Sequence, residues 1–358
     1  MMKNEPVGSG QEMGSAASSP SSSSAAPVAG GVRSIGVVAI GRNEGERFRR
    51  CVASLLGRVG VIVYVDSGSA DDSVAFARGQ GVEVVELDMS KPFTAARARN
   101  AGFERLKQVM SGVELVQFVD GDCEIAEGWL EAAAAELEAR PEVAVVCGRR
   151  RERHRDATIY NMLCDMEWDG QAGEVEYAGG DILARAKVIE QIGGYSEEMI
   201  AGEDPELCVR VRLAGWKVLR IDQEMTIHDA AMTRFGQWWK RAVRAGHAYA
   251  EGCERHGRGP EPMWRREVKS NWRYGLIWPA GAVLLAWPTW GLSLVVMAGI
   301  YGLMLARVAM YRRRVFADRW FDAGVYGAAC VVSKFAMAAG QVKYWRNRNR
   351  TRQIIEYK

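Results

Sequence analysis

The chain has 358 residues, a formal net charge of +3 and a charged fraction of 25%. That length holds one large domain or two small ones with a sizeable core, and the net charge is too small to imply nucleic-acid binding by itself, so where the charge lies matters more than its sum. Seven cysteines, odd in number, widely separated and never spaced as Cys-x-x-Cys, exclude a disulfide framework and a structural zinc site and point to a reducing compartment such as the cytoplasm.

Residues 1–32 are mostly Ser, Ala, Gly and Pro and read as a disordered lead. They lack the basic start and apolar run of a secretory signal, so the fold is expected to begin near Arg33. From there strands and helices alternate. Strands are predicted over 35–40, 61–65, 82–87 and 115–119, with helices over 44–56, 71–78 and 95–110 between them. Short runs rich in Val and Ile alternating with amphipathic segments indicate βαβ units and a mostly parallel sheet. Ligands of such sheets bind beyond the carboxyl ends of the strands, where Asn43, Asp66 and Asp120 fall. Next come a helix over 129–140, a strand over 143–147, a short strand or turn over 177–184 and helices over 186–192 and 205–214. A strand over 217–221 and a Trp-containing helix over 235–253 follow.

After Arg273 the character changes, because Tyr274 to Ala306 is a run of 33 residues without a charge. That is a membrane signal. Arg265, Arg266, Lys269 and Arg273 precede it and Arg307, Arg312, Arg313 and Arg314 follow it, so the positive-inside rule puts both flanks in the cytoplasm. A hairpin turning at Trp287-Pro288-Thr289-Trp290 and dipping into or just crossing the bilayer satisfies this, the alternatives being one tilted span or a soluble apolar subdomain. Its legs are then about 14–16 residues, roughly 21–24 Å of helix against a hydrocarbon core of about 30 Å. Residues 320–340, with Asp322 and Lys334, suit an interfacial helix, and Lys343, Arg346, Arg348, Arg350 and Arg352 form a basic tail facing anionic headgroups. The expected division is a lead at 1–32, a catalytic domain at 33–256 and a helical membrane-associated region at 257–358.

The acidic residues carry the chemistry. Asp120-Gly121-Asp122 follows a strand, and its Gly lets the backbone turn both carboxylates to one side, as a hard divalent cation shared with substrate phosphates requires. Asp66 in Val65-Asp66-Ser67-Gly68-Ser69 stands one position beyond its strand and could accept hydrogen bonds from a base, while Ser69 or Asp71 caps the next helix. In Gly202-Glu203-Asp204-Pro205, Pro205 suits the first turn of a helix with Asp204 at or near the N-cap. A carboxylate fixed there could serve as general base, or simply as a cap. His228 reads either as a structural histidine or as a metal or phosphate ligand. Trp238, Trp239, Arg241 and Arg244 could stack on a sugar and grip phosphate, or pack and be solvated. The run Arg149 to Arg155 reads as a solvated loop, a lipid or phosphate contact, or a nucleic-acid contact.

The ordered set Ala39-Ile40-Gly41-Arg42-Asn43-Glu44, Val65 to Ser69, Ala98-Arg99-Asn100-Ala101-Gly102, Asp120-Gly121-Asp122, Gly179-Gly180, Gly193-Gly194-Tyr195 and Gly202-Glu203-Asp204 with Arg210 resembles the family 2 glycosyltransferases. It covers Ile35 to about Gly252. The resemblance implies the GT-A fold, a Rossmann-like α/β architecture with helices on both sides of the sheet. It implies that Asn43, Glu44 and Asp66 contact the nucleoside of a donor, with Ser67, Arg99 and Asn100 in the same set and Asp120 by the ribose. Asp122, with Asp120 and His228, would hold Mg²⁺ or Mn²⁺. Asp204 would be the catalytic base, with Glu203 beside it, and Gly180 and Asp181 would join the Trp and Arg residues of 235–253 at the acceptor.

One base and no nucleophile suit a single displacement with inversion. Processive synthases of the family carry Gln-x-x-Arg-Trp, where this chain has Gln237-Trp238-Trp239-Lys240-Arg241. The expectation is therefore non-processive transfer at the cytoplasmic face of the inner membrane, from a nucleotide-sugar (UDP favoured) to a lipid-linked or saccharide acceptor, with no nucleic-acid partner. The alternative is a noncatalytic sugar-nucleotide-binding scaffold on the same fold. A nucleotidyltransferase would want a Gly-rich basic loop after the first strand, and Gly41-Arg42-Asn43-Glu44 is not one.

Overall fold

The computed structural model describes residues 34–347. The expected lead at 1–32 and the tail arginines Arg348, Arg350 and Arg352 lie outside those residues. In chain order the elements are β1 Ile35–Gly41, α1 Glu46–Leu55, β2 Val61–Asp66, α2 Ser73–Gly79, β3 Glu83–Glu86, α3 Ala95–Val109 and β4 Leu115–Asp120. Then come β5 Cys123–Ile125, α4 Trp129–Ala139, β6 Val143–Glu152, α5 Ile159–Trp168, β7 Gly173–Glu174, β8 Ile182–Arg185, α6 Ala186–Gln191, α7 Glu203–Leu213 and β9 Lys217–His228. The chain continues through α8 Phe235–His256, α9 Arg265–Trp272, a π-turn Arg273–Ile277, α10 Trp278–Leu284, α11 Leu292–Val315 and α12 Trp320–Asn347.

The sheet order is β3-β2-β1-β4-β8-β6-β9-β5, with β7 on β9. The first four strands are parallel, as their unbroken apolar runs require when both faces are covered. β8 runs antiparallel to β4 and β6, so the sheet is mixed. Val37, Val38, Val63, Val65 and Phe118 are all fully buried, each such side chain contributing about 1.5–3 kcal/mol. Helix α1 turns Phe48, Cys51, Val52 and Leu55 inward at helical spacing. Register places Gly41 opposite Asp66 and Ile40 opposite Asp120. Three loops therefore leave the sheet at one edge.

Four local readings differ from the sequence expectation. β6 runs on through Glu152, so most of the arginine run is strand. β9 continues to His228, which closes a strand instead of sitting in a loop. α7 begins at Glu203 with Gly202 in the left-handed conformation before it, so Asp204 is its second residue and not its cap. α5 was not foreseen, because the buried polar residues Asn161 and Asp165 interrupt its apolar pattern. The side chain of Thr158 starts that helix by accepting from the N–H groups of Tyr160 and Asn161.

At the C-terminus α9, the π-turn and α10 form one continuous helical run, and the chain reverses over 285–291 at the expected Trp-Pro-Thr-Trp. The legs are unequal: α11 is 24 residues long and carries Arg312, Arg313 and Arg314 in its last turn. Both α11 and α12 are long and apolar enough to cross a membrane by length and composition. They differ in burial, at 11% for the apolar window of α11 and 39% for that of α12. The helix expected along a membrane surface over 320–340 is longer than predicted, and it packs along α8 and α11. At that crossing Gly246 and Gly340 let the backbones touch: an added Cβ on Gly246 would strike the Met337 carbonyl, and one on Gly340 the Val243 carbonyl.

Candidate active site

A cleft of about 1190 Å³ opens where β1, β4, β6 and β9 end. Arg42, Asn43, Glu44, Asp120 and Asp122 line one end, and Glu203, Asp204 and Pro205 the middle. The far end lies between α5, α8 and α12, with Cys164, Trp238, Tyr326 and Lys334 among its walls.

Arg99 organises the middle. It is 3% exposed, and its guanidinium reaches Asp120 Oδ1 at 2.9 Å, Glu203 Oε1 at 2.9 Å and Asp204 Oδ1 at 3.0 Å. One planar fork thus joins carboxylates from the β4 end and the α7 start. Gly180 makes room for it, since a Cβ there would run into Arg99 Nη2. Arg150 approaches Asp120 Oδ2 at 3.4 Å and Asp181 Oδ2 at 2.7 Å. Burial works to raise the Asp120 carboxyl, but Arg99 and Arg150 outweigh it and hold it below the ordinary value. Asp204 goes the other way: burial, with Glu203 and Asp120 adding to it against Arg99, pushes it up to about 8.

Asp122 and His228 lie side by side at the ends of β4 and β9. Asp122 Oδ2 is 3.3 Å from His228 Nε2, and His228 Nδ1 has no hydrogen-bond partner among the described residues. Trp168 stacks edge-on against the imidazole, 4.8 Å between ring centres. Cys123 Sγ comes close enough to complete a three-residue cluster. Burial raises that thiol well above its ordinary value, which leaves it protonated and a poor partner for a hard ion. A carboxylate and an imidazole that both line the cleft fit Mg²⁺ or Mn²⁺. A second cluster, Asp120, Cys123 and Asp181, fits less well. Asp181 is fully buried and committed: it accepts from the Asp120 N–H, the Thr226 hydroxyl and Arg150.

Several residues expected at the site are elsewhere. Asp66 is 3% exposed and does not line the cleft; it accepts from the Tyr64 hydroxyl and from the N–H groups of Gly68 and Ser69. The sequence reading has it open to a base; in the structure it also fixes the turn after β2. Ser67 is buried beside it. Asn43 does line the cleft, and its Oδ1 accepts from Ala70 N–H at 2.7 Å, which ties the first loop to the second. Asn100 points the other way and holds the backbone of Tyr195 through both ends of its amide. Asp181, expected at the acceptor, instead supports Asp120 from below. Trp238, Arg241 and Arg244 face the cleft, whereas Trp239 packs into a cluster with Phe235 and α12. Arg241 pairs with Glu167, and Arg210 clamps the Gly193-Gly194 turn through the carbonyls of Ile192 and Gly194.

The arginine run is no solvated loop. Arg149 and Arg151 pair with Asp165, Arg153 with Glu124 and Arg155 with Asp322 of α12. Arg150 was not singled out by sequence, although strand alternation across the run would have turned it inward alone. Lys334 and Trp264, both cleft residues, carried no sequence signal toward this site.

Residues 36–177 match the family described as glycosyl transferase family 2. A pre-mycofactocin glycosyltransferase of Mycobacterium tuberculosis is 30% identical over 247 residues, 64% of this chain and 50% of the relative. Glycosyltransferase AglE of Haloferax volcanii is 24% identical over 219 residues, 57% of this chain and 69% of the relative. The chain spans about half the length of the first of these relatives. Among solved structures, the mannosyltransferase PcManGT from Pyrobaculum calidifontis in complex with GDP-Man and Mn²⁺ superposes with a TM-score of 0.60 at 18% identity over 90% of both chains, a likeness of fold. The family 2 glycosyltransferase match over residues 36–177 and the structural likeness agree, and the chain carries the GT-A fold.

Proposed function

We propose that this chain is an inverting, metal-dependent glycosyltransferase that moves a sugar from a nucleoside diphosphate donor to a hydroxyl of a lipid-linked or saccharide acceptor. The observation that carries the reading is the buried Arg99 fork, which holds Asp120, Glu203 and Asp204 in one cleft beside Asp122 and His228. Asn43, Glu44 and Asp120 would take the nucleoside and ribose. Asp122 and His228 would hold Mg²⁺ or Mn²⁺, which when bound offsets charge on the departing diphosphate.

Asp204 is the base of this reading, and Glu203 keeps its neighbourhood acidic. The acceptor hydroxyl gives its proton to the Asp204 carboxylate as its oxygen bonds to the anomeric carbon. The bond from that carbon to the diphosphate breaks, and the electron pair leaves on the phosphate oxygen. One displacement inverts the anomeric centre. Non-processive transfer is supported by Gln237-Trp238-Trp239-Lys240-Arg241 standing where processive synthases carry Gln-x-x-Arg-Trp.

We place the reaction at the cytoplasmic face of a membrane. The α10–α11 hairpin supports this by exposing Trp287 and Trp290 at 92% and 98%, with Leu284 and Val295 above them on the same unpartnered surface. The arginines at the end of α11 then stay on the cytoplasmic side.

The test is release of nucleoside diphosphate from UDP-, GDP- and dTDP-sugars with Mn²⁺ or Mg²⁺ and a membrane lipid extract, for the wild type and Asp204→Asn. Release from one donor class that the variant loses is the expected result. Equal release from both proteins would remove Asp204 as base, and no release from either would favour a binding scaffold.

A further inference from the structure

The cleft does not end at the carboxylates. It runs on to α12, where Cys330, Ser333, Lys334 and Met337 form its wall. Lys334 differs from three of the other cleft cations. Arg99, Arg150 and Arg241 each have a carboxylate partner. Lys334 Nζ instead donates to the Asn271 side-chain oxygen at 3.0 Å, and among the described residues no carboxylate pairs with it. Glu267 lines the same cavity but stays beyond ion-pair distance.

The polar partner is itself incomplete. Asn271 is fully buried, and its Nδ2 has no acceptor among the described residues. The Lys334 ammonium thus rests on an amide whose own N–H donors are unmatched. The position is rigid, because Gly275 of the π-turn lies against the Lys334 carbonyl, where a Cβ would collide. An ammonium in the apolar stretch of α12 between Asp322 and Gln341, lining a cavity and paired only to an amide, marks a ligand site. Its missing partner is an anion.

We infer that Lys334 binds the phosphate of a lipid-linked acceptor, with the lipid running out along the exposed α11 side and the reactive sugar hydroxyl reaching Asp204. This rests on the glycosyltransferase reading above and names its substrate class. Phosphate is the anion of choice because the cavity joins an apolar helix pair to a sugar-transfer site, and a lipid phosphate has both an apolar tail and the charge.

The experiment uses the full chain in dodecyl maltoside micelles and follows tryptophan fluorescence on titration with farnesyl phosphate, farnesol or inorganic phosphate, and with micelles doped with phosphatidylglycerol. Donor nucleotide binding is measured in parallel. Farnesyl phosphate is expected to bind at least tenfold tighter than farnesol and to be displaced by inorganic phosphate. Lys334→Met and Lys334→Gln should each lose at least tenfold of that affinity, and Lys334→Arg should keep it, with donor binding unchanged in all three.

Equal affinity for farnesyl phosphate and farnesol, unchanged affinity in the variants, or an equal response to phosphatidylglycerol would overturn the inference while leaving the transferase reading intact. Loss of donor binding in the wild type would instead strike at that reading. Should both neutral variants fail to fold, photo-crosslinking of an azido farnesyl phosphate to the wild type decides. Adducts between Tyr326 and Met337 support the site, and adducts confined elsewhere contradict it.

Discussion

The two ends of the cleft are built from different physics. At the carboxylate end, strand termini fix the backbone, and Arg99 and Arg150 bind Asp120, Asp181, Glu203 and Asp204 into one buried network. At the far end, apolar helices pack through glycines and bring in Lys334, whose partner is an amide. The first end is over-determined, since each charge has a counterpart and removing one strands the others. The second is left incomplete by the protein itself. A donor common to many enzymes suits the first design, and an acceptor particular to one enzyme suits the second.

The sharpest way to break this contrast is Arg99→Met, which leaves three carboxylates without their shared cation. Removing one partner of a buried ion pair costs about 3–5 kcal/mol. Urea unfolding of the variant should show a loss in that range, and a loss under 1 kcal/mol would mean the network is not the keystone of this end.

Next comes Asp204→Asn, expected to lower turnover at least a hundredfold, roughly the worth of a positioned base, with donor affinity nearly unchanged. The pH profile sharpens the same point. Asp204 stands at about 8 against an ordinary 3.8, so it holds a proton in the folded chain that the unfolded chain has already released. Its contribution to stability therefore falls as pH rises from about 4 to about 8. The competent base appears as pH rises through about 8, so kcat/KM should climb over that limb. A flat profile there would remove Asp204 from proton transfer.

The smallest effect is expected at the exposed hairpin. Replacing Trp287 and Trp290 by Ser should weaken binding to anionic vesicles several-fold and leave donor binding alone. Vesicle binding equal to the wild type would take the hairpin out of membrane attachment.

The same contrast decides what could be read from the sequence. Strand ends announce themselves through Val-rich runs followed by Asp, so β1, β2, β4 and the placement of Asp120, Asp122 and Asp204 in one cleft were legible. That Asp66 closes its own turn through Gly68 and Ser69 was not legible, because a carboxylate at a strand end looks alike whether it faces ligand or its own backbone. Arg150 lies in a run of charges that reads as a loop from sequence, and only the strand the run forms separates it from its neighbours. The share of α12 in the cleft was illegible, because which face of an apolar helix meets a neighbour depends on the Gly246 and Gly340 crossing, a tertiary fact.

The central claim is that this cleft binds a nucleotide-sugar through a divalent cation held at Asp122 and His228. The direct measurement is thermal unfolding of the wild type and Asp122→Ala with UDP-, GDP- and dTDP-sugars, each with Mn²⁺ and with EDTA. A ligand at about a hundred times its dissociation constant adds about 2.7 kcal/mol of stability. The account predicts an upward shift for one nucleotide class in the wild type with Mn²⁺, absent with EDTA and absent in Asp122→Ala. A shift that is the same with EDTA, or undiminished in the variant, would contradict it.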